Sequence, residues 1–243
     1  MDYFVDERSI VRRIWGKSDT ILVIFAGAAA EFALSKAVDW LYFTGKLPAD
    51  PLVRLFSTVS YARAIVFAEQ PAAHRAIDTI TVIHKAVETK RGSDIPDWAY
   101  RHVLFMLVDY SIRSFEVLER PLSTLEKQEV LDVFGRVGRR MGIKGLPENI
   151  EEWKAMRDEQ LREDLQFSPH TADLFRQYHK HLGLVRYRLL LETQRLLVPQ
   201  RVHRLLDFKR RSLLAPLVPV YKFGRQWRAD WLLKELLLPA QYK

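Results

Sequence analysis

The amino-acid sequence predicts an all-α protein, a single globin-like or bundle-like helical domain. Three observations carry this expectation. Apolar residues recur at the 3.6-residue period of a helix rather than the two-residue period of a strand. Helix start and stop signals punctuate the chain throughout. Alternating runs bounded by turn residues are missing, as are internal repeats and low-complexity linkers.

Taken in order, the first strong element is the apolar run Thr20 to Leu34, interrupted by Glu31. It is shorter than the roughly 20 residues that span a bilayer, so it reads as a buried core helix. Asp50-Pro51 places a capping acid before a first-turn proline and opens a helix from Leu52 to about Ala68. Pro71 restarts a helix that runs to about Lys90 and stops at Gly92. Ile95-Pro96-Asp97 opens the next, with Leu104, Leu107, Val108, Ser111, Phe115 and Leu118 at helical spacing. Ser123 and Glu126 form a capping box, and that helix ends near Gly142. Asn149 with Glu152 repeats the device. Ser168-Pro169 starts a helix ending near Gly183, and Leu184 to Leu197 continues as a separate one, stopped before Pro199.

Composition narrows the chemistry. Hydrophobic residues make up 48% and charged residues 28%, which suits a full core and argues against disorder or a membrane-embedded bundle. The absence of cysteine removes disulfides, thiolate nucleophiles, iron–sulfur clusters and thiolate-ligated haem. No signal peptide is read at the N-terminus, and a cytoplasmic protein, peripheral to a membrane at most, is expected. The net charge of +8 is concentrated in the tail, where Pro199 to Lys243 hold ten Lys/Arg against three Asp/Glu. Residues 1–198 therefore read as the main helical domain and 199–243 as a basic amphipathic helical extension. The near-neutral body gives no reason to expect a nucleic-acid partner. Trp227 and Trp231 among tail cations suit an anionic membrane surface. A helix packed on the body with a solvated basic face accounts for the same pattern.

Several catalytic constellations are missing: H-E-x-x-H, E-x-x-H, G-x-S-x-G and the P-loop. The glycines at 135, 138 and 142 sit in a helical pattern. Of seven histidines, His179 and His181 fall on different helix faces, and His170 and His203 read as exposed. His74 is placed to pair with Asp78 one turn on. His84 differs. Ile77, Ile80, His84 and Val87 put its imidazole on an apolar helix stripe. Two readings are open there: a core histidine satisfied by a carbonyl or hydroxyl, or a ligand to metal or haem. Arg54 and Thr58 share a helix face four residues apart, as a salt-bridged arginine with a back-bonded threonine or as a polar pair in a pocket.

In sequence order, these segments resemble the MpaB and latex-clearing (rubber) oxygenases. Asp50-Pro-Leu-Val-Arg-Leu-Phe-Ser-Thr58 resembles the family's D-P-x-x-R-L-x-x-T segment. Ile83-His84-Lys-Ala-Val87 resembles its [IM]-H-x-x-V element, and Leu107-Val-Asp109 its L-V-D. Ser9 to Gly16, the Pro-Leu-Ser after Arg120, and Gly142 with Leu146-Pro147 are similar to further family segments, so the likeness covers roughly residues 9 to 200. The chain departs from the pattern at four places. Glu88-Thr89 follow Val87 where many members continue with R-G, and Lys90, Arg91 and Gly92 come slightly later. Leu104 stands where many members carry a histidine in W-V-H, with His102 two residues earlier. Ala26 to Ala30 replace A-H-P-A-V. Ser57 stands where some rubber-cleaving members have lysine.

The resemblance implies an all-α fold enclosing b-type haem (iron protoporphyrin IX). His84 would be the axial iron ligand, and Arg54 and Thr58 catalytic and cofactor-binding residues of the pocket. It implies an oxygenase using dioxygen on an unsaturated hydrophobic substrate, isoprenoid or lipid-like. The alternative is a non-catalytic haem-binding or haem-free helical scaffold with a partner- or membrane-binding basic tail. The substrate and the oligomeric state are not readable from the sequence.

Overall fold

The structure, a computed structural model, describes residues 2–45 and 51–225, with side chains described from 57 to 223 in the second segment. Among the described residues there are eleven α-helices and no strand; two isolated β-bridges, Tyr3 with Glu69 and Ser35 with Leu165, tie loops to helix ends. The helices are α1 (Ile10–Trp15), α2 (Ser18–Leu34), α3 (Val38–Phe43), α4 (Pro51–Val66), α5 (Gln70–Arg91), α6 (Asp97–Leu118), α7 (Thr124–Arg140), α8 (Ile150–Glu163), α9 (Pro169–Leu197), α10 (Gln200–Leu205) and α11 (Val218–Arg225). None of them is long and apolar enough to cross a membrane.

The apolar run beginning near Thr20 becomes α2, the central helix. It is apolar on nearly every side because it is covered on nearly every side, chiefly by α6 and α9. Contact with α6 is close. A Cβ on Gly27 would lie 2.3 Å from ring carbons of Tyr110, so only glycine lets these two backbones approach so nearly. Trp15 of α1 is fully buried beside Phe25, and its indole N–H donates to Ser111 Oγ at 3.2 Å. That bond explains a serine on the apolar stripe of α6.

The capping signals mostly act where the sequence puts them. Ser123 and Glu126 form the full capping box of α7. Gly92 closes α5 in the left-handed region at φ 73°. Asn149 accepts from the Glu152 amide, but the Glu152 carboxylate takes the Glu148 amide at 2.9 Å, so that box is only half formed. The expected break at Gly183 is present: φ 70° and ψ 173° interrupt α9, a conformation suited to glycine. Asp50, expected to cap α4, lies outside the described residues. His74 does not take Asp78 as its partner. Arg140 donates to Asp78 at 2.7 Å, while the His74 ring sits edge-on to Phe4. His170 and His203 are half-buried rather than exposed, against the rings of Tyr42 and Phe208. After Pro199, α10 packs on α2 and α8 through buried Val202. Tyr221 Oη of α11 donates to Asp19 Oδ2 at 2.7 Å.

Deep between α2, α6 and α8 lies a network of charges. Arg157 donates from Nη1 and Nη2 to the two oxygens of Glu31, both at 2.6 Å. Its Nε and Nη2 reach Asp109 Oδ2 at 3.2 and 3.0 Å. Tyr110 Oη donates to Glu31 at 3.1 Å, Gln160 accepts from Arg157 at 2.8 Å, and His102 Nε2 lies 3.3 Å from Glu31. Glu31 and His102 are completely inaccessible. Burial opposes the charge on Glu31, yet the Arg157 guanidinium outweighs it and, with His102, holds the carboxyl well below the ordinary carboxylate range.

Two outcomes follow from this network. Arg157→Met leaves two buried carboxylates without their shared cation and should lower stability by about 3–5 kcal/mol in urea unfolding. The Glu31 contribution is present above its ordinary value of 4.5 and is lost as pH falls below it. Urea stability should therefore fall more steeply below that pH in the wild type than in Glu31→Gln.

Candidate functional site

A cavity of about 700 Å³ lies on the side of α2 opposite the charge network. Its wall is overwhelmingly apolar. Helix α2 supplies Ala26, Ala28, Ala29 and Phe32, so alternate faces of one helix serve the cavity and the ion network. Helix α4 contributes Ser57, Thr58, Tyr61, Ala62 and Ile65, spaced one turn apart along one face. From α6 come Tyr100, Val103, Leu104 and Leu107, and α9 adds Tyr178, Leu182, Arg186, Leu190 and Thr193 from both sides of the Gly183 break.

The stripe picked out on α5 divides its work. Ile77 is fully buried in the core, while Ile80, His84 and Val87 line the cavity. Thr58 and His84, from different helices, thus share one cavity wall. Arg54 lies on α4 one turn before Thr58, and its side chain is outside the described residues. Among the described residues, His84 is the histidine of the wall.

His84 is positioned by the corner between α5 and α6. Its ring packs against Tyr100, centroids 5.2 Å apart and planes at 75°. Tyr100 Oη donates to Glu88 Oε1 at 3.1 Å, and the same oxygen accepts the Ile95 amide at 2.9 Å. Glu88 follows His84 by one helical turn and is buried, with Lys85 Nζ at 2.7 Å from its other oxygen. Burial works against ionisation of Glu88; Lys85, the Ile95 amide and Tyr100 together hold its carboxyl below the ordinary value. Burial and then the Glu88 charge push the Tyr100 phenol up, so it stays a donor. One carboxylate thereby stitches the turn after Gly92 and fixes the ring that faces His84.

The departures from the family pattern resolve into geometry. Leu104 faces the cavity where a histidine would be expected, and a Cβ on Gly138 would lie 2.9 Å from its side chain. His102 serves the ion network instead, with Ser35 Oγ 3.5 Å from its other nitrogen. Sequence reasoning did not find Arg157, Lys90 or Arg186. The last two line the cavity, and they are the charged lysine and arginine of its described wall; no Asp or Glu joins them there. No three His, Cys, Asp or Glu side chains among the described residues come together as a chelating cluster. The apolar lining suits an apolar molecule.

A family model described as "ER-bound oxygenase mpaB/B'/Rubber oxygenase, catalytic domain" matches residues 12–229. No curated protein and no solved structure matches the chain.

The Tyr100–Glu88 bond is open to direct measurement. Tyr100→Phe keeps the ring against His84 and removes the hydroxyl, which should lower urea stability by about 0.5–1.5 kcal/mol without changing helix content.

Proposed function

We propose a function from one premise: the chain belongs to the MpaB and rubber oxygenase catalytic-domain family. On this reading it is a haem b-dependent oxygenase that uses dioxygen on a small unsaturated hydrophobic molecule, isoprenoid or lipid-like. The observation that carries it is His84 in the wall of a large apolar cavity, its ring packed against Tyr100, whose hydroxyl is held by Glu88.

The residues present fit the cofactor. The cavity volume lies within the range of about 300–1,000 Å³ usual for small-molecule and cofactor sites. Its wall suits a flat apolar macrocycle, and a single imidazole is the axial donor set of many b-type haem sites. When bound, haem supplies an iron centre for dioxygen chemistry. His84 would give it one ring nitrogen, while Tyr100 limits how the imidazole can rotate. The alanines and Phe32 of α2, with Leu104 and Leu107, exclude water and leave hydrocarbon as the favoured occupant. Thr58, with Arg54 one turn earlier, would place hydrogen-bond donors where negative charge builds during oxygen reduction. Residues 1–198 form the catalytic domain in this reading, and 199–243 a basic extension.

Protein expressed with haem supply should show a Soret band, and His84→Ala should abolish it while helix content by circular dichroism is kept. A folded, colourless wild type would sink the haem reading and return the haem-free scaffold. Oxygen consumption by the haem-loaded wild type with an unsaturated isoprenoid or lipid, absent without that substrate and absent in the haem-free His84→Ala variant, separates an oxygenase from a haem-binding protein without turnover.

A further inference from the structure

Arg186 is the anomaly of the cavity. It is half-buried on the second segment of α9, and its Nε is out of contact with solvent without a hydrogen-bond partner among the described residues. A buried guanidinium nitrogen without an acceptor is costly, because the group loses water and gains nothing in exchange. Lys90, exposed near the end of α5, lines the same cavity, and neither cation takes part in an ion pair among the described residues. Two other arginines of α9 have a carboxylate: Arg176 reaches Asp173 at 3.0 Å, and Arg195, whose Nε is likewise without an acceptor among the described residues, reaches Glu192 through Nη1 at 2.6 Å. The described wall of the cavity offers hydroxyls, the His84 imidazole and hydrocarbon but no carboxylate.

An apolar cavity with unneutralised cations in its wall is complementary to an apolar ligand that carries an anion. We infer that Arg186, with Lys90, forms a carboxylate subsite of this cavity, and that the ligand bound there has an acid group on a hydrophobic body. Two sources share that chemistry. One is the propionate of haem, which rests on the function proposed above. The other is an amphipathic acid, a fatty or isoprenoid carboxylate, which does not need haem to bind.

Acid and ester forms of the same body give the test, on the full chain. Haem b and its dimethyl ester are titrated by absorbance. A fluorescent polyunsaturated fatty acid, parinaric acid, and its methyl ester are titrated by emission, with and without haem. The wild type should bind the free acid of at least one pair more tightly, on the order of tenfold, the weight of a charge-assisted hydrogen bond. Arg186→Met should bring that ratio close to one, and Arg186→Lys should retain part of it. Discrimination in the haem pair assigns the subsite to propionate; discrimination in the fatty pair assigns it to an acid substrate. Either result supports the subsite. A wild type that discriminates neither pair overturns the inference, and so does a preference that persists in the Arg186→Met, Lys90→Met double variant. Failure to bind haem at all, with the fatty acid still preferred over its ester, sinks the haem reading and leaves the subsite standing.

Discussion

Arg157 holds three helices at once. Its guanidinium spends its donors on Glu31 of α2, Asp109 of α6 and Gln160 of its own helix, all deep in the protein. Buried ion clusters contribute less to net stability than to uniqueness, because a misaligned partner leaves a charge stranded in a low-dielectric interior. Here the consequence is register. The bidentate contact with Glu31 fixes both the rotation and the axial position of α2, and the Gly27–Tyr110 approach admits no other spacing from α6. Since the opposite face of α2 lines the cavity, the ion network sets the position of a wall it never touches.

A second constraint works at the corner between α5 and α6. Gly92 turns the chain, Glu88 captures the Ile95 amide, and Tyr100 is drawn onto His84. The two constraints meet in α6, which presents Asp109 and Tyr110 to the charges and Tyr100, Leu104 and Leu107 to the cavity. A helix used on both sides can bear few substitutions that do not disturb one of them. The family match over residues 12–229 spans both constraints.

Most of the helical architecture was legible in the sequence because its signals are local. A capping serine, a proline at a first turn and a glycine in the left-handed region act within four residues of themselves. The place of His84 was legible for the same reason, from its spacing relative to Ile77, Ile80 and Val87. The ion network was not, since Glu31, Asp109 and Arg157 are separated by more than 40 residues each and come together only in the fold. Two clues were present. Glu31 interrupts an apolar run, and Asp109 sits in an apolar stripe; an acid in such company calls for a buried cation. Nothing distinguished Arg157 in a helix crowded with charge. Arg186 was equally silent, because its significance lies in the acceptors that its surroundings lack. His102 could be read only as a displaced family histidine until its contact with Glu31 was visible.

The break at Gly183 has an implication for how such a cavity changes over evolutionary time. A Cβ there would meet nothing within 4 Å, so the bend is dictated by backbone preference and by no neighbouring side chain. Tyr178 and Leu182 before it, and Arg186, Leu190 and Thr193 after it, belong to two short helices aimed separately at one space. Side chains on either segment can therefore drift in size and polarity without redirecting the other. A lineage that keeps this single glycine can recut one half of its binding chamber while the other stays as inherited.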